Sequence, residues 1–556
     1  MAEQPDTEAD YIIIGAGSAG SVLALRLAEG GQNRVLVLEY GGSDAGPFVQ
    51  MPAALSWPMN MAAYDWGYRA AAEDRLNGRA LACPRGKVIG GSSSVNGMIF
   101  VRGHPADYDS WAEQGAEGWD FASVLPYFKR METSHGAQGD WRGTDGPLHI
   151  TRGPRDNILH SVITQAAEQA GYAFTQDYNG WRQEGFGAAD MTVWQGRRWS
   201  TANAFLRPAL KTGSVQLIKR ALAEKILFDG RRACGVRYQR RGRSFEARAR
   251  KAVILAAGAI NSPQLLQASG IGPASWLQQA GVPLLLDRPG VGRNLQDHLE
   301  IYLQSECRQP VSLYPCLSWH RQLRIALRWA LFKTGIGASN QFETLGFIRS
   351  DKGVAWPDIQ FHFLPLAVRY DGKSAASGHG FQLHLGPMRS KSRGTVRIVS
   401  PGPASPPEIC FNYLSHGDDL ADFRKAIRLG REILAQPAFA PFRGAEIQPG
   451  ADCQSDAGLD EFVRNHAESA YHPCGTCKMG AASDPAAVVD SSCRVIGTQS
   501  LFVADSSAFP TITNGNLNAP TIMLAEKAAD HILGKPPLAP ANIQPWQHPD
   551  WQNSQR

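Results

Sequence analysis

The sequence lacks the features that mark secreted and membrane-spanning chains. Its 9 cysteines are scattered over 556 residues and odd in number, unlike the disulfide framework of a small secreted domain. The first ten residues are polar and acidic, without the basic start and apolar stretch of a secretory signal. No uninterrupted apolar run reaches the length that spans a bilayer. We therefore expect a cytoplasmic protein with reduced thiols.

A strong charge bias and internal repeats are also missing. The 56 basic and 51 acidic residues leave a formal net charge of +5, without a run rich in lysine and arginine, so the composition does not favour nucleic-acid binding. With 43% apolar residues among 556, the chain can bury more apolar surface than a single hydrophobic core usually contains. Because no long linker separates two halves, we expect two lobes whose segments interleave.

Four short apolar runs have the character of buried strands, although they lie far apart in the chain. They cover residues 11–14, 35–38, 252–255 and 501–504. Such runs are typical of one parallel sheet assembled from separated segments. After the last run, residues 520–527 predict a helix with Pro520 near its first turn and an end at Gly534.

The first apolar run leads into a glycine-rich turn. Residues 15–20 read G-A-G-S-A-G and open an apolar helix. Glycines at this spacing allow a tight turn and let backbone N–H groups approach a pyrophosphate at the helix N-terminus. The second run ends in Glu39, where a carboxylate can accept a hydrogen bond from a ribose hydroxyl. This βαβ unit predicts a dinucleotide site for either NAD or FAD.

A second loop favours FAD over NAD. Residues 85–97 read R-G-K-V-I-G-G-S-S-S-V-N-G, with small side chains and many backbone N–H donors for phosphate. Two phosphate-binding loops for a single dinucleotide suggest that this dinucleotide is FAD.

The sequence resembles the glucose–methanol–choline (GMC) oxidoreductases in four segments. Residues 85–97 are similar to the first signature of that family, and residues 258–272 to its second. Residues 289–298 and the block from Val503 also match, so the resemblance covers nearly the whole chain. It implies an α/β fold, α+β overall, in which a Rossmann-like FAD-binding domain interleaves with a substrate domain built on an antiparallel sheet flanked by helices.

The resemblance also implies domain boundaries and cofactor contacts. The FAD-binding domain comprises 1–153, 199–299 and 470–538, the substrate domain 154–198 and 300–469, and a C-terminal tail 539–556. The predicted cofactor residues are Gly15, Gly17, Ser18, Ala19, Gly20, Glu39, Trp66, Arg85, Gly91, Ser92, Asn96, Gly97, Met98, Ile99, Ala223, Gly258, Asp505, Asn516, Asn518, Pro520 and Thr521. Some members tether flavin through a histidine of the first signature, but Val95 stands there, so we expect non-covalent FAD. Tyr40 departs from the alanine usual after Glu39.

Alcohol oxidation by flavin needs a base that takes the hydroxyl proton while hydride leaves for the flavin. Residues 471–476, Y-H-P-C-G-T, supply a histidine before proline, which by itself is more often structural. This stretch resembles the GMC active-site motif, and the resemblance implies that His472 is the base. It also implies a partner eleven residues after Asp505, at Asn516, whose amide can hydrogen-bond the substrate oxygen.

Two neighbouring patterns receive structural interpretations. Cys474 and Cys477 could form a redox pair, or a metal site with His472, but no second ligand pair or thioredoxin pattern accompanies them. We therefore predict no metal. Asp297 and His298 are interpreted as a structural turn pair.

Several stretches of the substrate lobe resemble choline-oxidising members of the family, at 310–315, 339–343, 361–365 and 472–480. A quaternary ammonium donates no conventional hydrogen bond, so its site needs aromatic faces and a carboxylate. The predicted substrate residues are Glu300, facing the ammonium, the cage residues Trp319 and Trp57, and His362 and Tyr471. The alternative for each tryptophan is ordinary core packing.

The predicted reaction is FAD-dependent oxidation of choline to betaine aldehyde, with further oxidation to glycine betaine at the same site as an extension. The alternatives are a dehydrogenase or oxidase for an uncharged primary or aromatic alcohol and, more remotely, a non-catalytic flavoprotein. The electron acceptor is either a respiratory quinone or oxygen, and a homodimer is a further candidate assembly.

One segment qualifies the picture of a purely cytoplasmic protein. Arg321, Arg324, Arg328 and Lys333 punctuate an apolar set within residues 321–333, as in a basic amphipathic helix. Such a helix could rest on the inner face of the cytoplasmic membrane. The alternative is a surface helix packed on its own domain.

Overall fold

The computed structural model describes residues 7–137, 139–368, 375–402 and 404–556. Residues 1–6, the start of the predicted FAD-binding domain, lie outside the described residues. Two seven-stranded sheets form the centre of the described part.

The strands of the two large sheets are numbered in chain order. They are β1 (Thr7–Ile14), β2 (Val35–Glu39), β3 (Gly185–Ala188), β4 (Val215–Lys219), β5 (Leu222–Asp229), β6 (Arg232–Arg240), β7 (Arg243–Leu255), β8 (Leu299–Cys307), β9 (Thr344–Ile348), β10 (Ile359–Leu364), β11 (Gly380–Pro387), β12 (Arg443–Gln448), β13 (Glu468–Ser469) and β14 (Leu501–Val503).

The longer α-helices lie around these sheets. They are α1 (Ser18–Ala28), α2 (Pro105–Glu113), α3 (Phe121–Met131), α4 (Ile158–Gln169), α5 (Gly258–Ala268), α6 (Trp319–Phe332), α7 (Gly417–Ala435), α8 (Asp456–His466) and α9 (Asn518–Leu533). Among the helices described, none combines the length and the apolar composition needed to cross a bilayer.

The first sheet has the order β4–β2–β1–β7–β6–β5, and β14 also pairs with β7. Strands β4, β2, β1, β7 and β14 run parallel, whereas β5 and β6 join antiparallel. The four predicted apolar runs lie in β1, β2, β7 and β14, which confirms that separated segments assemble one sheet. These strands are apolar along their whole length because the parallel part of the sheet is covered on both faces. All five residues of β2 are buried.

The carboxyl ends of the parallel strands meet at one edge of this sheet. Gly15 directly follows β1, Glu39 ends β2, and Asp505 comes shortly after β14. Helix α1 begins just beyond the glycine turn, and α9 points its N-terminus to the same edge. As predicted, α9 ends at Gly534, which is left-handed with φ 66°.

The second sheet has the order β12–β8–β11–β10–β9–β3, with β13 also paired to β8, and its pairings are antiparallel. Helix α7 packs against β11, and all eight residues of β11 are buried. An antiparallel sheet flanked by helices is what the resemblance implied, so the predicted fold class is confirmed. The domain boundaries remain a prediction.

Candidate active site

A cavity of about 1600 Å³ extends from the carboxyl edge of the first sheet to the second sheet. Its lining includes Gly15 after β1, Glu300 on β8 and His362 on β10. This volume exceeds the roughly 300–1,000 Å³ of a pocket for one drug-sized ligand. The cavity can therefore hold a large cofactor together with a small substrate.

Two glycine loops form the floor of the cavity and touch each other. A Cβ atom on Gly91 would lie 2.6 Å from Cα of Gly17, and one on Gly15 would lie 2.5 Å from the carbonyl oxygen of Ala256. Gly15 and Gly91 also have left-handed φ angles of 99° and 53°. Only glycine allows these close approaches, which place both loops and the N-terminus of α1 around one site.

Glu39 lies beside the first glycine loop, with its carboxylate buried. It accepts hydrogen bonds from the backbone N–H of Ala16 at 2.9 Å and of Gly41 at 2.6 Å. Burial raises the pKa of Glu39 to about 7, although these two hydrogen bonds oppose the rise. The carboxylate is thus held where the ribose of a dinucleotide is recognised in this type of fold.

Most of the predicted cofactor residues line this one cavity. They are Gly15, Gly17, Ser18, Ala19, Glu39, Trp66, Arg85, Gly91, Ser92, Asn96, Gly97, Met98, Ile99, Ala223, Gly258, Asp505, Asn516, Asn518 and Thr521. Gly20 and Pro520 lie outside the lining. A Cβ on Gly20 would meet the carbonyl oxygen of Gly15 at 1.9 Å, so Gly20 lets α1 pack closely against the glycine turn instead of facing the cavity.

Some lining residues also hold the site together. Asp505 accepts hydrogen bonds from the backbone N–H of Gly258 at 2.8 Å and the hydroxyl of Ser262 at 2.6 Å, which ties α5 to the end of β14. The hydroxyl of Ser18 donates to the side-chain oxygen of Asn518 at 2.8 Å, which ties α1 to α9. Tyr40 packs its ring 4.9 Å from that of Trp66 and is 39% exposed.

His472 is the centre of a chain of polar side chains at the far end of the cavity. Its Nδ1 lies 3.1 Å from Nδ1 of His298, and its Nε2 lies 3.0 Å from Nδ2 of Asn516. Nε2 of His298 lies 3.1 Å from the carbonyl oxygen of Met388, and Oδ1 of Asn516 accepts a hydrogen bond from Gln360 at 3.2 Å. His472 and Asn516 are therefore brought together, as the resemblance implied.

The fixed ends of this chain determine which nitrogen of His472 carries the proton. A carbonyl oxygen only accepts, so His298 donates from Nε2 to Met388 and accepts at Nδ1. His472 then donates from Nδ1, and its Nε2 is the unprotonated nitrogen, which accepts from Asn516. Burial, followed by the neighbouring histidines and Arg85, holds the pKa of His472 well below its usual range. Burial also lowers the pKa of His298 to about 4. Both rings are therefore neutral at pH 7.

The backbone of His472 is anchored by Asp297. The buried carboxylate accepts from the His472 N–H at 2.7 Å, from Ser469 at 2.5 Å and from Tyr413 at 2.6 Å. The carbonyl of Tyr471, whose φ is 65°, accepts from Arg85 at 2.7 Å. Asp297 thus has the structural role expected of it, whereas His298 contacts the His472 ring directly, which the turn-pair interpretation did not include.

Glu300 forms a polar wall of the cavity with aromatic neighbours. Its side chain is 14% exposed and accepts hydrogen bonds at 3.3 Å from Nδ1 of His384 and at 3.3 Å from the hydroxyl of Tyr302. The rings of Tyr302 and His384 are 3.8 Å apart, and Phe342 lies 5.2 Å from His384. His362 stands directly opposite His384 in the sheet. Burial lowers the pKa of His362 to about 4. The wall therefore joins one carboxylate to several ring faces.

The two predicted cage tryptophans lie at the mouth of the cavity. Trp319 is 77% exposed at the start of α6, and Trp57 is 53% exposed and stacks 5.2 Å from Phe48. Both line the cavity, as does Tyr471. Neither tryptophan packs in the core, so the core-packing alternative is wrong. Tyr302 and His384 are among the ring-bearing residues that contact Glu300.

The sequence did not reveal the active-site contact of His298, and it did not identify Gln360 or His384. A usable signal existed for Gln360, because alternate residues of a strand share a face and Gln360 precedes the predicted His362 by two. His384 comes from a different strand and has its neighbours only in the folded sheet. Cys474 and Cys477 are buried free cysteines in the core of the first lobe.

Known proteins resemble this chain over nearly its whole length. Residues 9–300 and 390–525 match the N- and C-terminal family models described as GMC oxidoreductase. An oxygen-dependent choline dehydrogenase of Brucella ovis is 60% identical over 99% of this chain and 100% of its own. Pyridoxine 4-oxidase from Mesorbium loti is 32% identical, with a TM-score of 0.85 over 94% of this chain and 98% of that one. An FAD-dependent oxidoreductase from Chaetomium thermophilum is 26% identical, with a TM-score of 0.86 over 95% and 99%.

Proposed function

Because the chain belongs to the GMC oxidoreductase family, we propose that it is an FAD-dependent dehydrogenase that oxidises choline to betaine aldehyde. The family predicted from the signature segments is confirmed, and so is the enzyme class that it implied. One observation carries the choice of substrate. The cavity that holds the neutral base His472 also holds the carboxylate of Glu300 among aromatic rings. The likeness to choline dehydrogenases over the full chain points the same way.

The residues around the cavity fit FAD. The close backbone contacts of Gly15, Gly17 and Gly91 hold the N-terminus of α1 at the cavity, where its first-turn N–H groups can bind the pyrophosphate. Glu39 offers its carboxylate to a ribose. Val95 lines the cavity without a nucleophilic atom, so FAD is held without a covalent bond. Bound FAD supplies the acceptor for the substrate hydride.

His472 takes the hydroxyl proton of the alcohol at Nε2. The hydrogen bonds that run from the carbonyl of Met388 through His298 to His472 leave this nitrogen unprotonated. Its lowered pKa keeps that nitrogen free at neutral pH. Once Nε2 is protonated, the ring still donates from Nδ1 to His298, which offsets the burial of the new charge. Nδ2 of Asn516 has two N–H groups, so one can hydrogen-bond the oxygen of the alcohol as it becomes an alkoxide.

Glu300 recognises the charged end of choline. A trimethylammonium group is satisfied by a carboxylate and by the faces of aromatic rings, since it has no N–H to donate. Tyr302, His384 and Phe342 supply ring faces beside Glu300, and His362 and Tyr471 line the neighbouring wall. Trp319 and Trp57 receive the cation at the mouth. This arrangement favours choline over an uncharged primary or aromatic alcohol, which has no cationic group to interact with the carboxylate.

The product of the first oxidation can be oxidised again at the same site. Hydrated betaine aldehyde is itself an alcohol, so the same base can serve its oxidation to glycine betaine. The acceptor that reoxidises the flavin is a respiratory quinone or oxygen. A peripheral contact with the inner face of the cytoplasmic membrane and a homodimer, both candidates from the sequence, are retained.

Anaerobic mixing of the holoenzyme with choline tests the proposal directly. The flavin absorbance should bleach with choline and should bleach far less with 3,3-dimethyl-1-butanol, the uncharged isostere, at the same concentration. Equal rates with both alcohols would point to the uncharged-alcohol alternative. No bleaching with any alcohol would point to a non-catalytic flavoprotein.

A further inference from the structure

Helix α6 presents an apolar stripe to solvent. Trp319, Leu323, Leu327 and Leu331 follow one another at intervals of four residues and therefore share a face. They are 77%, 52%, 52% and 72% exposed, and Phe332 at the end of the helix is 68% exposed. Single exposed apolar side chains are ordinary on a soluble protein, but a contiguous row marks an interaction surface.

This stripe does not pack on the protein's own domain. Within α6, Trp329 alone is buried, and its indole N–H donates to the carbonyl oxygen of Gly196 at 2.7 Å. The helix predicted from the sequence is confirmed, but the alternative that its apolar residues pack on its own domain is wrong for the stripe.

Cations lie along the edge of the stripe. Arg321, Arg324 and Arg328 are spaced by three and four residues, so they share the neighbouring face of α6. The helix contains no acidic residue. None of the three arginines forms an ion pair within the part of the chain that the structure describes. Their guanidinium groups are available to anions at the surface.

The stripe borders the mouth of the active-site cavity. Trp319 and Leu323 line the cavity from α6, and Phe48 and Trp57 line it from another segment. Phe48 and Trp57 stack on each other and are 38% and 53% exposed. Two exposed apolar rims thus meet at one opening.

We propose that α6 and the Phe48–Trp57 pair dock on an anionic lipid surface, with the mouth of the cavity placed against the headgroups. The apolar stripe enters the interfacial region, the tryptophans lie at headgroup level, and the arginines bind lipid phosphates. A second copy of this chain is the weaker occupant, because two α6 helices face to face bring cations together without an acid to pair them. This inference rests on the peripheral membrane contact proposed above, for which it names the surface and the lipid, and it is independent of the choice of alcohol.

Vesicle flotation of the full-length holoenzyme tests this docking. Vesicles of phosphatidylcholine with phosphatidylglycerol should carry the protein, and vesicles of phosphatidylcholine alone should carry much less. The variant L327S/L331S/F332S, outside the cavity lining, should lower the bound fraction on anionic vesicles about tenfold. R324Q/R328Q should lower it and remove its dependence on salt.

Matched variants elsewhere on the surface make the test specific. L284S/V399S removes side chains of similar exposure, 52% and 53%, and R241Q/R243Q removes the same charge from an exposed turn. Both should float like the wild type, and choline activity should be unchanged in all four variants. The proposal is overturned if the wild type stays unbound on anionic vesicles. It is also overturned if the serine variant only converts a dimer to a monomer in light scattering.

Discussion

Gln360 donates a hydrogen bond of 3.2 Å from its side-chain nitrogen to the side-chain oxygen of Asn516. An amide whose oxygen is occupied in this way directs its nitrogen to the other side, where it meets Nε2 of His472. Gln360 therefore sets the orientation of Asn516 from a strand of the second sheet, although it belongs to none of the signature segments.

Replacing Gln360 by leucine should lower kcat for choline by about five- to tenfold, the effect of one lost hydrogen bond, with little change in KM. The reason is that Asn516 loses the bond that directs its nitrogen. Steady-state kinetics of Q360L and Q382L separate this role from substrate binding. Gln382 donates to His384 beside Glu300, so Q382L should instead raise KM. A Q360L enzyme with wild-type kcat would contradict the positioning role.

Removing the imidazole of His298 should slow flavin reduction by roughly 100-fold while FAD content stays normal. In H298A the Nδ1–H of His472 loses its acceptor, so the ring no longer presents Nε2 consistently. Rapid-mixing kinetics under anaerobic conditions measure the rate. H298Q, whose side-chain oxygen can accept the same hydrogen bond, should recover part of the lost rate.

H472A, which lacks the base, should reduce its flavin more slowly than either variant of His298. Flavin reduction near the wild-type rate in H472A would rule out His472 as the base.

Substituting Glu300 by glutamine should raise the KM for choline about 50-fold, since a partly buried contact with a cation is worth roughly 2–3 kcal/mol. The KM for 3,3-dimethyl-1-butanol should hardly change. Glu468 offers a matched control, because it stands opposite Glu300 in the sheet and also lines the cavity, but it is paired with Arg79. E468Q should keep the KM for choline within about threefold of wild type. Equal effects of E300Q on both alcohols would argue against a cationic substrate.

Glu39 should lower the stability of the apoprotein as pH rises from about 4.5 towards about 7, against the gain that the buried neutral histidines His298 and His362 give over much of the same range. Burial raises the pKa of Glu39 from 4.5 to about 7 in the fold, so over this interval the unfolded chain releases a proton that the folded chain retains. The loss amounts to about 3 kcal/mol, and it levels off above the folded pKa. Urea unfolding of the apoprotein across this range measures it. E39Q should gain more stability over this pH range than the wild type, and an identical slope in E39Q would exclude a contribution from Glu39.

Acid precipitation of the holoenzyme should release the yellow flavin into the supernatant. Val95 stands where a tethering histidine would be needed and has no atom that can bond to flavin. Absorbance of the pellet and supernatant decides the outcome. Flavin that stays with the precipitated chain would show a covalent link through another residue.

Parts of this fold are local enough to follow from sequence. The apolar runs of β1, β2, β7 and β14, the glycine turn before α1 and the end of α9 at Gly534 are determined by periodicity and by backbone conformations that few residues adopt. The resemblance to known motifs added His472 and Asn516. The exposure of the α6 stripe was not predictable, because an amphipathic pattern is the same whether its apolar face meets protein or solvent.

The sequence by itself determined the dinucleotide fold, the family and the residues most directly engaged in chemistry, because each depends on a short segment with strong local constraints. Only the tertiary structure decided how these residues are supported. The chain from Met388 through His298, His472 and Asn516 to Gln360 joins segments more than two hundred residues apart. Glu300 meets His384 only across paired strands. Such contacts arise from chain packing and strand register, which no local pattern specifies.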